Sequence, residues 1–377
     1  MVEKKKNKKA YKKGFNLIET YPVKFSETIV FVKHNGPVDN FSFSFPDKKV
    51  EHIIVNLCPT EPWALPNRAI LRNRTYDFLN ILETVRAEYF PDSHCHVVVN
   101  HQETSLVNEL NQYKGNADKI PLPRTKSAED FNPPSPPLLK GGLRGGFAKG
   151  EYLHIHTMEP VYPYDAPVVI VKNILGLDIV FGQNTIEQGI LLLDPQNVTG
   201  IFEYYIKKNE FNTRLIPISG TGLKDNKILK VKPGTPVKRM LELYVRTDIK
   251  YRVFLDGPLN GTEVKDSTQK IDWSTKNIVV IEERDYKTLF PYTRVNELLF
   301  TTSLIGELRR CVYCNFCDDI CPVNLEPALY WHCYTRGEKQ KARTYALEKC
   351  IECGLCSFIC PSKLELFQVI KECKSLK

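Results

Sequence analysis

Eight of the twelve cysteines in the 377-residue chain fall into two runs of the same spacing. These are Cys311-x2-Cys314-x2-Cys317-x3-Cys321-Pro322 and Cys350-x2-Cys353-x2-Cys356-x3-Cys360-Pro361. Three thiolates from one tight loop can reach three iron corners of a [4Fe–4S] cube, and the fourth corner needs a more distant ligand. In chains that carry two such runs, the fourth Cys of each ligates the other cluster. The spacing therefore assigns Cys311, Cys314, Cys317 and Cys360 to one expected cluster, and Cys321, Cys350, Cys353 and Cys356 to a second. The Pro after each fourth Cys lacks an N–H and has a fixed φ, so the chain should turn away there and become helical. Structural zinc also takes four thiolates, but it typically joins two separated Cys-x2-Cys pairs, which leaves a third Cys and the Cys-Pro step surplus. A disulfide framework suits small secreted domains, not a chain of this length. Two adjacent clusters make a short electron path without substrate chemistry of its own.

A chain of this length supports two or three domains with real cores. Its composition, 42% hydrophobic and 25% charged, is that of an ordinary soluble protein. No apolar run approaches the roughly 18 residues needed to cross a bilayer, so any membrane part is expected on a partner. The formal net charge of +8 is concentrated at the start, where residues 1–13 carry seven Lys and one Glu. That reads as a solvated tail, and no apolar segment follows to make it an export signal. Oxidation-sensitive thiolates without such a signal point to the cytoplasm.

Residues 14–50 contain short alternating pieces such as Thr28-Ile29-Val30-Phe31-Val32, a small β region. Next comes an apolar strand at 52–57, a helix over 75–90 with Phe78, Leu82, Val85 and Tyr89 on one stripe, a strand at 96–99 and a helix from about Thr104. This is a β-α-β pattern, hence an α/β, doubly wound domain. The loop Asn56-Leu57-Cys58-Pro59-Thr60-Glu61-Pro62-Trp63 leaves the carboxyl end of its strand, where ligands gather in such sheets. Asn56 and Glu61 are the candidate ligand residues there, set against a plain loop held by local hydrogen bonds. No G-x-G-x-x-G signature for NADH is present. Residues 125–150, Pro-rich and then Gly-rich, read as a linker or insertion. His154 and His156 share one face of a strand, with no Cys or carboxylate at ligand spacing to complete a metal site. Buried strands are expected at 168–171 and 190–193.

A compact unit begins at Arg214. Strands at 214–219 and 227–231 form a hairpin, Thr235-Pro236 supplies an N-cap and first helical residue, and Val237, Met240, Leu241 and Tyr244 form a helical stripe before a strand at 251–255. Strand, strand, helix, strand is a β-grasp order, closed by the turn Gly257-Pro258-Leu259-Asn260-Gly261. Beyond the cysteine runs, Pro327 should start a helix that Gly337 ends, a second should span 338–347, and Leu366, Ile370 and Cys373 should face inward from a last one. Cys58, Cys95, Cys333 and Cys373 are expected to be small buried hydrophobes.

This succession resembles the NqrA family of the sodium-translocating NADH:quinone reductases and its relative, the RnfC family of the Rnf ferredoxin:NAD reductase complexes. Lys13-Gly14-Phe15-Asn16-Leu17 resembles an opening motif of that group, His154-Ile155-His156 with Glu159-Pro160-Val161 resembles the quinone reductase protein, and Cys360-Pro361-Ser362-Lys363 resembles a segment of both. The two full cysteine runs match the Rnf protein, whereas its Gly-rich flavin and NADH loop has no counterpart here. The resemblance implies an α+β multidomain chain: a Lys-rich tail at 1–13, a reduced biotinyl-like region at 14–50, and an α/β Rossmann-like domain at 51–213. A β-grasp (SLBB-like) domain at 214–272 and a helical ferredoxin-type domain at 290–377 complete it. The implied function is that of a peripheral electron-transfer subunit of a membrane-bound, ion-translocating NADH:quinone oxidoreductase, on the inner face of the cytoplasmic membrane. It implies two [4Fe–4S] clusters in the chain, flavin on partner subunits, and membrane-embedded and flavin-carrying partners without nucleic acid. An RnfC-type protein is the alternative within this class, and an assembly or ligand-binding scaffold with structural clusters is the alternative outside it.

Overall fold

The computed structural model describes residues 29–33, 36, 39–64, 71, 74–115, 152–180, 182–283 and 310–375. The Lys-rich tail, the Lys13–Leu17 motif and the 125–150 insertion lie outside the described residues. The architecture is mixed α+β and multidomain, with two β-sheets and several helices.

In chain order the strands are β1 Ile29–Phe31, β2 His52–Asn56, β3 His94–Asn100, β4 Leu153–Met158, β5 Ile190–Leu193, β6 Arg214–Ser219, β7 Lys227–Val231, β8 Tyr251–Leu255, β9 Thr262–Glu263 and β10 Ile278–Glu282. The helices that matter below are α1 Thr75–Tyr89, α2 Thr104–Gly115, α3 Pro167–Leu175, α4 Pro195–Gly200, α5 Val237–Tyr244, α6 Phe316–Asp319, α7 Pro327–Thr335, α8 Leu355–Ile359 and α9 Leu366–Ser375.

The first sheet has the order β4-β3-β2-β5 and every pairing in it is parallel. Alternation along β2 and β3 sorts its two faces. Ile53, Val55, Cys95, Val97 and Val99 pack against Phe78, Leu79, Leu82 and Val85 of α1 and Leu106, Leu110 and Tyr113 of α2. Ile54, Val98 and Met158 on the other face meet Ile170 and Val171 of α3. Fully burying an aliphatic side chain contributes about 1.5–3 kcal/mol, so both faces of this sheet are needed to offset chain ordering.

Residues 168–171 form part of α3, not the expected strand. A short unbroken apolar run has no period of its own. Pro167 at the first helical position starts the helix, and Gly176, at φ 71°, closes it.

The second sheet runs β1-β7-β6-β10-β8-β9. The hairpin of β6 and β7 is antiparallel, β10 inserts parallel to β6 and antiparallel to β8, and β1 pairs parallel with β7. The early strand thus joins a sheet formed mainly by residues far later in the chain. Helix α5 lays Val237, Met240 and Leu241 on this sheet. Its N-cap is Pro236 and not Thr235, whose hydroxyl donates instead to the Lys232 carbonyl at 2.6 Å.

Arg214 ties the two units. Its side chain is 1% exposed, Nε donates to the Thr275 carbonyl at 2.6 Å, and Nη2 lies 3.3 Å from Asp194 Oδ2 at the cap of α4. Among the described residues no helix is long and apolar enough to cross a membrane.

Candidate functional site

The two cysteine runs fold as two copies of one local design. Tyr313 and Glu352 take positive φ at equivalent places, as do Asn324 and Lys363 after each Cys-Pro. Asn315 and Gly354, also left-handed, immediately precede the short helices α6 and α8 that carry Cys317 and Cys356. Helix does follow each Pro, but only after a further turn, at Pro327 and Leu366. Gly337 ends α7 as expected, with its N–H donating to the Tyr334 carbonyl at 3.0 Å. The stretch expected as one helix over 338–347 is a 3-10 turn, Lys339–Tyr345, interrupted by Ala346 at φ 55°.

The two copies exchange their fourth cysteines. One pocket is lined by Cys311, Cys314, Cys317 and Cys360, together with Tyr313 and Phe316. The other is lined by Cys321, Cys350, Cys353 and Cys356, together with Leu355 and Ile370. These are the two groups into which the spacing sorts the eight residues.

The expected cofactors are corrected. Among the described residues no group of three or more His, Cys, Asp or Glu side chains is placed to hold a metal ion. The expected two [4Fe–4S] clusters therefore have no donor set among the described residues. Spacing along the chain decides which cysteines share a pocket, but not whether their sulfurs converge on one centre. Burial pushes the Cys317 and Cys353 thiols up to about 12 and holds Cys356 well above its ordinary value. Three of the sulfurs make hydrogen bonds. Cys321 Sγ accepts from the Leu325 N–H at 3.3 Å, Cys350 Sγ accepts from the Glu352 N–H at 3.4 Å, and the Cys317 thiol donates to Asp318 Oδ1 at 3.3 Å.

The pockets differ in setting. Cys314 is exposed, and Val312, Tyr313 and Phe316 beside it are each more than half exposed, with the Tyr313 ring stacked on His332 at 4.9 Å. Cys350, Cys353 and Cys356 are buried, and Ile351, Cys353 and Leu355 pack with Val161, Tyr162, Val169 and Leu259. The second pocket thus backs onto the first sheet's loops, while the first faces outward. Of the other cysteines, Cys58, Cys95, Cys333 and Cys373 are buried among apolar neighbours.

Asn56 and Glu61 are both held within the chain. Asn56 Oδ1 accepts from the Cys58 N–H at 2.8 Å. The Glu61 carboxylate accepts from the backbone N–H groups of Leu259 (3.1 Å) and Asn260 (2.8 Å). Burial, opposed by those two hydrogen bonds, pushes Glu61 up to about 8. Gly257, at φ 116°, is required here, because any Cβ at that position would collide with the Glu61 carboxylate. Thr60 hydrogen bonds Asp165 through both its N–H and its hydroxyl, which fixes the loop from the other side.

A second cluster lay hidden in the sequence. His154 and His156 of β4 stand in register beside His96 and Val98 of β3, and His52 of β2 stands beside His94. Five imidazoles therefore occupy one face of the first sheet near its amino-terminal end. Only the pairing register of three strands could have revealed this, since the sequence itself shows no more than one His-x-His on each of two strands.

No protein-family model matches the chain. The chain is similar to proteins named as the C subunit of an ion-translocating oxidoreductase complex. It is 24% identical to that of Haemophilus influenzae over 331 residues, covering 87% of this chain and 34% of the relative. The corresponding figures are 25% over 193 residues for Buchnera aphidicola, covering 50% and 37%, and 25% over 252 residues for Pasteurella multocida, covering 66% and 28%. Among solved structures, an NAD+-reducing [NiFe]-hydrogenase in the H2-reduced state aligns with a TM-score of 0.48 and 11% identity, covering 87% of this chain and 54% of that one. The chain spans about a third of the length of the curated relatives it matches, and the matches take in between 50% and 87% of its own length.

Proposed function

We propose that the chain is a peripheral electron-transfer subunit of a membrane-bound, ion-translocating oxidoreductase complex, of the RnfC type. The observation that carries this reading is the similarity to the C subunits of such complexes over 87% of the chain. It also favours the Rnf type over the NqrA protein of a NADH:quinone reductase, for which the His154-Ile155-His156 and Glu159-Pro160-Val161 motifs speak. The four-stranded parallel sheet is then a Rossmann-like domain, the second sheet with α5 a β-grasp domain, and the C-terminal helices a ferredoxin-type domain.

Within this reading the eight cysteines of the two runs are the functional residues, grouped as Cys311, Cys314, Cys317 and Cys360 and as Cys321, Cys350, Cys353 and Cys356. The first pocket, ringed by exposed Val312, Tyr313 and Phe316, is the side offered to a neighbouring protein of the complex. The second, packed on Tyr162 and Leu259, is the side joined to the body of the chain. The membrane-embedded and ion-carrying parts belong to partners.

Deleting the chain in its host and assaying membrane-bound electron transfer between ferredoxin and NAD tests this reading. Loss of that activity, restored by the wild-type chain and not by Cys353→Ser, supports it. Full activity without the chain, or full rescue by a chain lacking all eight cysteines, overturns it.

A further inference from the structure

Three of the five clustered histidines form an unbroken hydrogen-bonded row across three parallel strands. His52 Nδ1 lies 3.0 Å from His96 Nε2, and His96 Nδ1 lies 3.0 Å from His156 Nε2. A parallel link joins His94 Nδ1 to His154 Nε2, also at 3.0 Å, and the His96 and His154 rings stack with centroids 4.9 Å apart. Every link runs from the Nδ1 of one ring to the Nε2 of the next.

That uniform polarity has a chemical consequence. A neutral imidazole has one N–H donor and one lone-pair acceptor, so a row linked in this way has two self-consistent states. In one, every ring carries its proton on Nδ1, which leaves an outward lone pair on His52 Nε2 and an outward N–H on His156 Nδ1. In the other, every ring carries its proton on Nε2, and the outward N–H belongs to His52. A proton added to His52 Nε2 in the first state shifts each linking proton by one bond and expels a proton from His156 Nδ1. The product is the second state. One proton enters, one leaves, no electron moves, and water at each end is the only co-reactant.

We propose that the row His52–His96–His156 is a proton-transfer path across the amino-terminal end of the first sheet. The rings must rest neutral for such a relay, and their surroundings hold them so: burial, neighbouring imidazoles and Lys114 lower the pKa values of His52, His96, His154 and His156, with burial the largest cause for each. His96, the central member, is 6% exposed, while the two terminal rings are half-buried and within reach of solvent. The charges acting on the ends are Glu51 at His52 and Lys114 of α2 at His156. Tyr152 lies against His94 with centroids 5.4 Å apart, and the Arg86 guanidinium of α1 lies over the Tyr152 ring. Glu51 raises the pKa of His52 and Lys114 lowers that of His156, so the two charges act with opposite sign on the two ends of the row. Ligands of α/β sheets gather at the carboxyl ends of the strands, so a row at the opposite end is separate from the Asn56–Glu61 loop. The proposal does not depend on the role of the cysteines.

The test is 15N NMR of the full-length chain labelled at histidine, which reports the tautomer of each ring directly. At neutral pH His52, His96 and His156 are expected to share one tautomer, all Nδ1–H or all Nε2–H. Lys114→Met, a change at an exposed position, is expected to shift the tautomer balance or titration midpoint of His52 as well as His156, because the row transmits it. In His96→Gln, whose amide donates and accepts but cannot relay a proton, the same Lys114→Met change should move His156 alone. Mixed tautomers along the wild-type row, or a Lys114→Met response confined to His156 in the wild-type background, would overturn the proposal. The Lys114→Met comparison decides the matter even if His96→Gln fails to fold.

Discussion

The Tyr162 hydroxyl donates to the Cys353 carbonyl oxygen at 2.7 Å, in a buried contact between the segment that follows β4 and the loop of the second cysteine run. Tyr162 is 2% exposed, and burial raises its pKa well above the usual phenol value, with Glu61, Cys353 and Asp165 acting in the same direction. This hydrogen bond joins the second cysteine run to the segment after β4, beside an apolar cluster that holds Val161, Val169, Leu259 and Leu355.

Removing that hydroxyl tests the docking. Tyr162→Phe keeps the ring and leaves the Cys353 carbonyl without this donor, a change that costs about 1–3 kcal/mol when the acceptor stays buried. Denaturant unfolding should show a loss of that size. Alkylation of Cys353 and Cys356 in the native chain should rise, with that of Cys311 and Cys314 unchanged.

Glu61 makes stability depend on pH. Its folded-state pKa of about 8 lies above the ordinary carboxylate value of 4.5. Between those values the folded chain keeps a proton that the unfolded chain releases, so this group's contribution to stability falls as pH rises from about 4.5 to about 8. Glu61→Gln should remove that slope. Stability measured across this range should therefore fall less steeply with rising pH in the variant than in the wild type; an unchanged slope would show that Glu61 ionises normally.

The imidazole cluster gives a slope of opposite sign. The folded-state pKa of His96 is pushed down to about 3 from 6.5, by burial first and by the four neighbouring histidines next. The unfolded chain binds the extra proton, so stability from this group is fully present above about 6.5 and is lost as pH falls toward 3. His96→Gln should flatten the acid limb of the stability profile below pH 6.5 and leave the limb above it unchanged.

Arg214 is a buried charge held by an ion pair and by hydrogen bonds. Arg214→Met leaves Asp194 without its ion-pair partner and the Thr275 carbonyl without its 2.6 Å donor. Breaking a buried pair in this way costs about 3–5 kcal/mol. Arg214→Lys should recover only part of that, since an ammonium cannot reproduce the planar fork that reaches Thr275, Asn197 and Asp194 together. Denaturation midpoints of the two variants measure both steps.

Local signals mark some elements closely. Arg214–Ser219 and Lys227–Val231 are apolar-rich strands around a Gly turn, and both lie where their residues indicate. Phe78, Leu82 and Val85 mark the buried face of α1 by spacing alone. The apolar run at 168–171 is ambiguous because four residues hold no period, and the deciding residue is Pro167 just before it. The strand β10, Ile278–Glu282, escapes a reading of the sequence, since a buried run gives no alternation, and nothing local brings β1 beside β7. The histidine face needs three registers at once. The cysteine spacing is legible down to the grouping of the two pockets, whereas the convergence of sulfurs on a metal is an inference that the three-dimensional arrangement does not support.

The crossed grouping of the cysteines is tested most directly by isotope-coded alkylation and mass spectrometry of the full-length Cys321→Ser chain. Cys321 stands in the first run but lines the pocket of the second. Labelling should therefore rise at Cys350, Cys353 and Cys356, by several-fold over wild type, and stay the same at Cys311, Cys314 and Cys317. A rise confined to Cys311, Cys314 and Cys317 would show that each run closes on itself, and would contradict the exchange.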